Sequence, residues 1–349
     1  MMLRCAVWII VWNVAVCLHA AHFNGHVYHD RHEGEPIANV DIQAEGANPT
    51  ATDKNGEFAL RFPHKNVGDA VELKVCKEGY VVVHDIMLYY ILTPHSPNPK
   101  PEILLARQAD KEEMARRFFL RKSIEAADGS HTRIAADKHL QGNATSLGEY
   151  KKKLEQAKAF AEKTVDELAR EQTGQAPALY KSALRLFIDG NSKTALDKLD
   201  ECLKKQMATD KRVPQDLLKT YRLMGYIRTL ELDFLGATDA YERAAKAAPD
   251  DFAAHFALAL LLQSQNQPTI ALATYIQARD SARKAANKPD EAMTLSNMGI
   301  LYCDKKQVKD ARAAFDDAIK LYRELNGKSS KKFDGDIQRV QELIKNVKK

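Results

Sequence analysis

The chain has 349 residues, of which 45% are hydrophobic, 7% aromatic and 28% charged, and its formal net charge is +5. That length holds two or three domains, and the apolar-to-charged balance is that of a soluble globular protein. So small an excess of positive charge argues against a dedicated nucleic-acid binder.

Residues 1–20 read as a secretory signal peptide. Arg4 gives a short basic start, Ala6 to Val16 is apolar apart from Asn13, and Leu18-His19-Ala20 before Ala21 puts a small residue at the cut. The apolar run is short for a membrane span. Cleavage near Ala20 would leave a secreted or periplasmic chain with no integral span. Cys17 raises lipid modification, but Val14-Ala15-Val16 lacks the small residue such a cysteine needs before it. Cys76, Cys202 and Cys303 would remain, an odd and widely spaced set that makes no disulfide framework. Cys202 and Cys303 fall on apolar faces of predicted helices and read as small core residues.

Residues 21–107 have the marks of a small all-β sandwich of about seven strands. The β-prone runs are Val27-Tyr28, Ile37 to Ala44, Phe58 to Phe62, Val71 to Cys76, Tyr80 to Ile86 and Ile103 to Leu105. Val40, Ile42 and Ala44 alternate with Asp41 and Gln43, as a half-buried strand requires. Gly34-Glu35-Pro36, Asp53-Lys54-Asn55-Gly56 and Glu78-Gly79 supply turns.

Four elements in order carry a resemblance here: Gly25-His26-Val27, Gly34-Glu35-Pro36-Ile37-Ala38-Asn39-Val40, Thr52-Asp53-Lys54-Asn55-Gly56-Glu57-Phe58 and Val75-Cys76-Lys77-Glu78-Gly79-Tyr80. The segment resembles the carboxypeptidase regulatory-like (transthyretin-like) domain. The resemblance implies a structural or adhesive appendage without catalysis.

Pro94, Pro97, Pro99 and Pro101 predict an extended crossing into a last strand, Glu102 to Ala106. Beyond Asp110 the chain reads as helix. Residues 108–175 form a helical connector, with helices over Glu112 to Ala127 and Leu147 to Glu171 and a polar loop over Gly129 to Gly142. In the second helix Leu154, Ala157, Ala161, Val165 and Leu168 make an apolar stripe, and the lysine- and glutamate-rich face opposite reads as solvated. Asn143-Ala144-Thr145 is a glycosylation sequon.

Residues 176–326 hold an internal repeat. Gly225, Ala237, Tyr241 and Ala244 recur as Gly299, Ala311, Phe315 and Ala318 with the same spacing, and Pro249 closes the first unit. Two weaker units use Leu179, Ala183, Leu186, Ala195, Leu199 and Cys202, and then Leu258, Ala259, Leu262, Ala271, Tyr275 and Ala278. The pattern resembles tetratricopeptide repeats, and its longer steps resemble the extended repeats of kinesin light chain. Residues 327–349 supply a capping helix, with Ile337, Val340, Ile344 and Val347 at helical spacing. The fold class is therefore multidomain: an all-β sandwich followed by an all-α helical-repeat solenoid.

The resemblance implies a concave groove lined by the first helix of each pair. Carried onto this sequence, the groove positions include Tyr180, Lys219, Arg222, Tyr226, Phe256, Leu260, Ser296 and Ile300, with Asn297 adjacent. Of these Tyr180, Lys219, Arg222, Tyr226, Ser296 and Asn297 are the candidate partner-binding residues, and Phe256 and Leu260 the candidates for burial. The expected partner is a protein or peptide, with no nucleic acid and no cofactor.

Two other readings compete. His22, His26, His29 and His32 could hold zinc or copper in a secreted metal-dependent enzyme, although His26 and His29 fall on opposite faces of a strand. Alternatively, the sandwich binds cell wall or glycan and the repeats serve as scaffold. Asp53, Asn55 and Glu57 around Gly56 suggest calcium less well than a tight turn. No catalytic motif occurs, so the chain is not expected to be an enzyme.

Overall fold

The computed structural model describes residues 21–29, 34–93, 100–136, 144–171, 173–208, 214–327 and 331–347. The signal-peptide segment, His32, Pro94 to Pro99 and Asn143 lie outside the described residues. Two compact units are present: residues 21–108 without Val83–Ile86, and Val83–Ile86 together with Ala109 onward.

The first unit contains strands β1 (Ala21–His29), β2 (Glu35–Pro36), β3 (Asp41–Ala44), β4 (Thr50–Ala51), β5 (Glu57–Phe62), β6 (Ala70–Cys76), β7 (Val81–Val82), β8 (Tyr89–Ile91) and β9 (Glu102–Ala106). One sheet runs β2-β1-β9-β7 with β5 also paired to β1, and the other runs β4-β3-β6-β8. β1 is parallel to β9 and antiparallel to β2 and β5. Alternation explains the core: in β5, Phe58, Leu60 and Phe62 are buried between exposed Ala59 and Arg61. They meet Phe23, Val27, Ile42, Leu73, Tyr90 and Ile103 from the rest of the unit.

The strands are more numerous and shorter than the seven expected. Ile37 to Ala44 is not one run, because Asn39 takes a left-handed φ of 55° and only Asp41–Ala44 continues. Tyr80 to Ile86 shrinks to Val81–Val82, and the Ile86 amide donates to His84 Nδ1 at 3.2 Å as a 3-10 turn begins at Asp85. At Asp53 the expected tight turn is present: its Oδ1 accepts from the amides of Asn55 and Glu57, both at 2.9 Å, and Gly56 has φ +73°.

The second unit contains helices α1 (Lys111–Ala135), α2 (Ala144–Arg170), α3 (Ala178–Ile188), α4 (Ser192–Ala208), α5 (Pro214–Leu230), α6 (Phe234–Ala247), α7 (Phe252–Ser264), α8 (Pro268–Lys284), α9 (Lys288–Asp304), α10 (Val308–Asn326) and α11 (Asp334–Asn346). The loop expected from Gly129 is instead the last two turns of α1. Its polar residues are absorbed by the helix itself: Ser130 and Thr132 hydroxyls donate to carbonyls four residues back.

Helices α3 to α10 pair in sequence: α3 with α4, α5 with α6, α7 with α8, α9 with α10. One column of small residues on the second helices, Ala195, Ala237, Ala271 and Ala311, is wholly buried in all four pairs. The next column, Leu199, Tyr241, Tyr275 and Phe315, is buried with it. Gly225 is small because a Cβ there would lie 2.5 Å from the Tyr241 ring, and Gly299 faces Phe315 in the same way. Side-chain caps start three helices: Asp233 accepts from the Gly236 amide, Asp251 from Ala254 and Asn287 from Asp290. The array ends on α11, whose Val340 packs with Ala311, Phe315, Ala318 and Tyr322 of α10. No helix of the described residues is long and apolar enough to cross a membrane.

Candidate functional site

The first helices of the pairs, α3, α5, α7 and α9, share one face, and α2 packs on it against α5 and α7. Sequence reading gave the polar face of α2 to solvent. In the structure much of it meets the array. Glu167 accepts from Arg222 Nη2 at 2.9 Å, and Glu171 accepts from the Tyr180 hydroxyl at 2.7 Å. Lys163 donates to Asn297 Oδ1 at 3.2 Å, and Gln156 to the Ser264 carbonyl at 3.2 Å. Between these contacts Phe160 packs on Tyr226 and Tyr241, with ring centroids 6.1 and 5.9 Å away.

The anticipated groove residues can now be placed. Tyr180, at 2% exposure, is held by Glu171. Lys219 stands 3.9 Å from Glu171 and keeps 41% of its side chain exposed. Arg222 is shared between Glu167 of α2 and Asp251, 3.5 Å away at the N-cap of α7. The Tyr226 hydroxyl bonds Ser123 of α1 at 2.7 Å. Asn297 takes Lys163. Ser296 does not join them: its hydroxyl donates to the Ala292 carbonyl at 2.9 Å and also meets Tyr322 of α10. Phe256 and Leu260 are buried.

Electrostatics follow from this enclosure. Burial works against the Arg222 charge, but Asp251, Glu167 and Glu171 outweigh it and raise the guanidinium further above its ordinary value. Burial raises the Glu171 carboxyl above the usual range, against the pull of Tyr180 and Arg222, and lowers the Lys163 ammonium. Burial also pushes Asp290, in the first turn of α9, up to about 6, with Glu167 adding like charge.

α2 does not fill the concave face. A cavity of 420 Å³ remains between its C-terminal half and the four first helices. Leu168, Leu223, Phe252, Phe256 and Met293 give it an apolar lining, and Lys219, Arg222, Glu167, Glu171 and Asp290 give it charge. Of the site residues that sequence reading missed, chiefly Glu167, Glu171 and Asp290, the first two had one available signal. Lys163, Glu167 and Glu171 recur every four residues, so they share a stripe that runs along α2 and onto the residue just past its end.

Residues 250–324 match the family model for the tetratricopeptide repeat. The match covers α7 to α10, and the buried columns extend the same pairing to α3–α6. Repeats of this class generally build non-enzymatic protein-interaction scaffolds. No family match covers the β unit. Among solved structures the chain is similar to the crystal structure of BtubC (BKLC) from P. vanneervenii, with 16% identity over 65% of this chain and 82% of that one, at a TM-score of 0.42. No curated protein matches.

In the first unit, His26 Nε2 lies 2.8 Å from Glu57 Oε1, and His29 meets the Tyr80 ring edge-on with centroids 5.6 Å apart. Among the described residues no three histidine, cysteine or carboxylate side chains converge in a metal-binding arrangement.

Proposed function

We propose that this protein is a non-catalytic interaction scaffold that works outside the cytoplasm and holds a segment of a partner protein on the concave face of its repeat array. The observation that carries the reading is the 420 Å³ cavity, which is set among the first helices of all four pairs and bounded by α2. Its volume is in the range of binding clefts, and an apolar lining with a few placed charges is what orients a ligand. Its shape suits a short peptide stretch better than a whole helix, because α2 already occupies the helix-sized part of the groove. Lys219, with the most exposed side chain of the anticipated set, stands at the cavity with Tyr180, Arg222 and Tyr226. The extracytoplasmic setting is supported by Arg4 and the apolar Ala6 to Val16 ahead of Ala20-Ala21.

A photo-crosslinking residue placed in the full chain at Met293, inside the cavity, tests this against the same residue at Leu235, which is 79% exposed. The scaffold reading expects one discrete protein adduct from Met293 and none from Leu235, with the Met293 adduct lost on Phe252→Glu. Equal labelling from both positions would overturn it. N-terminal sequencing of the exported chain tests the setting, and a start at Ala21 is expected.

A further inference from the structure

Of the residues before Ala109, only Val83–Ile86 belong to the second unit. Within that unit His84 is 3% exposed and meets the Phe119 ring of α1 edge-on, with centroids 4.9 Å apart. The Ile86 amide donates to His84 Nδ1 at 3.2 Å. Nδ1 therefore keeps its lone pair, and the imidazole is neutral. Nε2 is buried and completes no hydrogen bond among the described residues, although the Glu171 main-chain carbonyl comes near enough to favour a proton on the ring. Asp85 ties the same stretch to the end of α2. Its Oδ2 accepts from the Thr173 amide at 2.9 Å, while its Oδ1 is buried without a hydrogen bond, 3.3 Å from His84 Nδ1.

We infer that Val83–Ile86 is a pH-sensitive latch on the C-terminal end of α2, closed by the neutral imidazole of His84 and opened when that imidazole takes up a proton. A proton on Nδ1 removes the acceptor of the Ile86 amide and puts a charge inside an enclosure walled by Phe119. The new N–H faces Asp85 Oδ1, on the carboxylate that holds Thr173. Of the groups that face the ring, Asp85 and the Glu171 carbonyl favour the proton. Burial and Lys111, at the start of α1, oppose it and prevail, so His84 titrates below its ordinary 6.5. The closed latch thus binds fewer protons than the open one and weakens as pH falls below about 6.5. Glu171 and Asp290 act in the opposite sense, because each holds its proton more tightly in the folded chain, and loosening in acid separates His84 from both. The latch reaches the cavity through Glu171, which lines it and accepts from the Tyr180 hydroxyl at 2.7 Å. It goes beyond the scaffold reading and does not depend on it.

The test follows amide exchange of the full chain at pH 7.5 and 5.5, each rate corrected for the pH dependence of the chemical step. Ile86 and Thr173, whose amides close the latch, should lose protection by about threefold to tenfold between the two, while Val340 of α11 does not. In His84→Asn, whose Oδ1 can accept from the Ile86 amide without titrating, that loss should vanish. Hydrogen exchange at His84 Cε1, read by mass spectrometry on the parent chain alone, should give a midpoint below 6.5. Protection that holds at pH 5.5, a loss that survives His84→Asn, a loss shared equally by Val340, or a His84 midpoint at or above 6.5 would each overturn the inference. Crosslinking at Met293 is a separate readout, so the scaffold reading can fail while the latch stands, and the reverse.

Discussion

The Arg222 guanidinium places Nη2 2.9 Å from Glu167 and Nη1 3.5 Å from Asp251. One side chain on α5 thus ties the helix that lies on the concave face to the start of the next repeat. It is only 23% exposed, so the cost of its desolvation is offset chiefly by these two carboxylates.

Arg222→Leu should therefore lower stability by about 2–3 kcal/mol, since it leaves the α7 cap without its cation and Glu167 with only the more distant Arg170. Arg222→Lys should recover less than half, because an ammonium cannot serve two carboxylates as a planar fork does. Urea unfolding followed at 222 nm checks both. Recovery of full stability by lysine would show that charge alone matters there.

Gly225→Ala and Gly299→Ala should each cost about 1–3 kcal/mol by overpacking, because the added methyl drives into the ring of Tyr241 or Phe315. In a double-mutant cycle with Tyr241→Leu, the Gly225→Ala penalty should fall by at least half, as a smaller partner leaves room. Additive losses would place the cost in the backbone instead.

Lys306 closes α9 with φ +59°, its amide donating to Cys303 and that of Gln307 to Tyr302. This is a left-handed helix end carried by a residue with a Cβ. Lys306→Gly should raise stability by about 0.5–1 kcal/mol, the relieved strain exceeding the added chain entropy. A lower melting temperature would mean that the lysine side chain contributes more than its backbone strain costs.

Asp290 titrates near pH 6 in the folded chain against an ordinary value of 3.8, raised by burial first and then by Glu167 and Asp166, with Arg170 opposing. The folded state holds this proton more tightly than the unfolded chain. Its contribution to stability is therefore fullest below about pH 4 and is lost as pH rises through 6. Asp290→Asn should then stabilise the chain by up to about 1 kcal/mol at pH 7.5, after discounting for partial solvent screening, and by almost nothing near pH 4. Denaturant midpoints of parent and variant across pH 4–8 measure this. A gain independent of pH would remove the electrostatic explanation.

The repeats were legible because their signature is local. Ala237, Tyr241 and Ala244 lie within three turns of one helix, so spacing alone puts them on one face, and Gly225 is the small partner their ring demands. The strands of the β unit were legible where alternation was clean, as in Glu57–Phe62. They were not where a left-handed residue such as Asn39 interrupts an apolar run. The α1 helix was cut short in the reading because Gly129 and Ser130 have poor helix propensity, which packing against the rest of the unit overrides.

By itself the sequence determined the order of parts: a segment of alternating strands, two long helices and an array of small-and-aromatic helix pairs closed by an amphipathic cap. It also marked which first-helix residues could look onto the concave face. Only the tertiary structure decided what they look at. Glu167 and Arg222 are 55 residues apart, as Lys163 and Asn297 are 134 apart, and pairings across such distances leave no periodicity in a single chain. The face of α2 that reads as a solvated charge stripe is seated on the array because its ionic partners come from other helices.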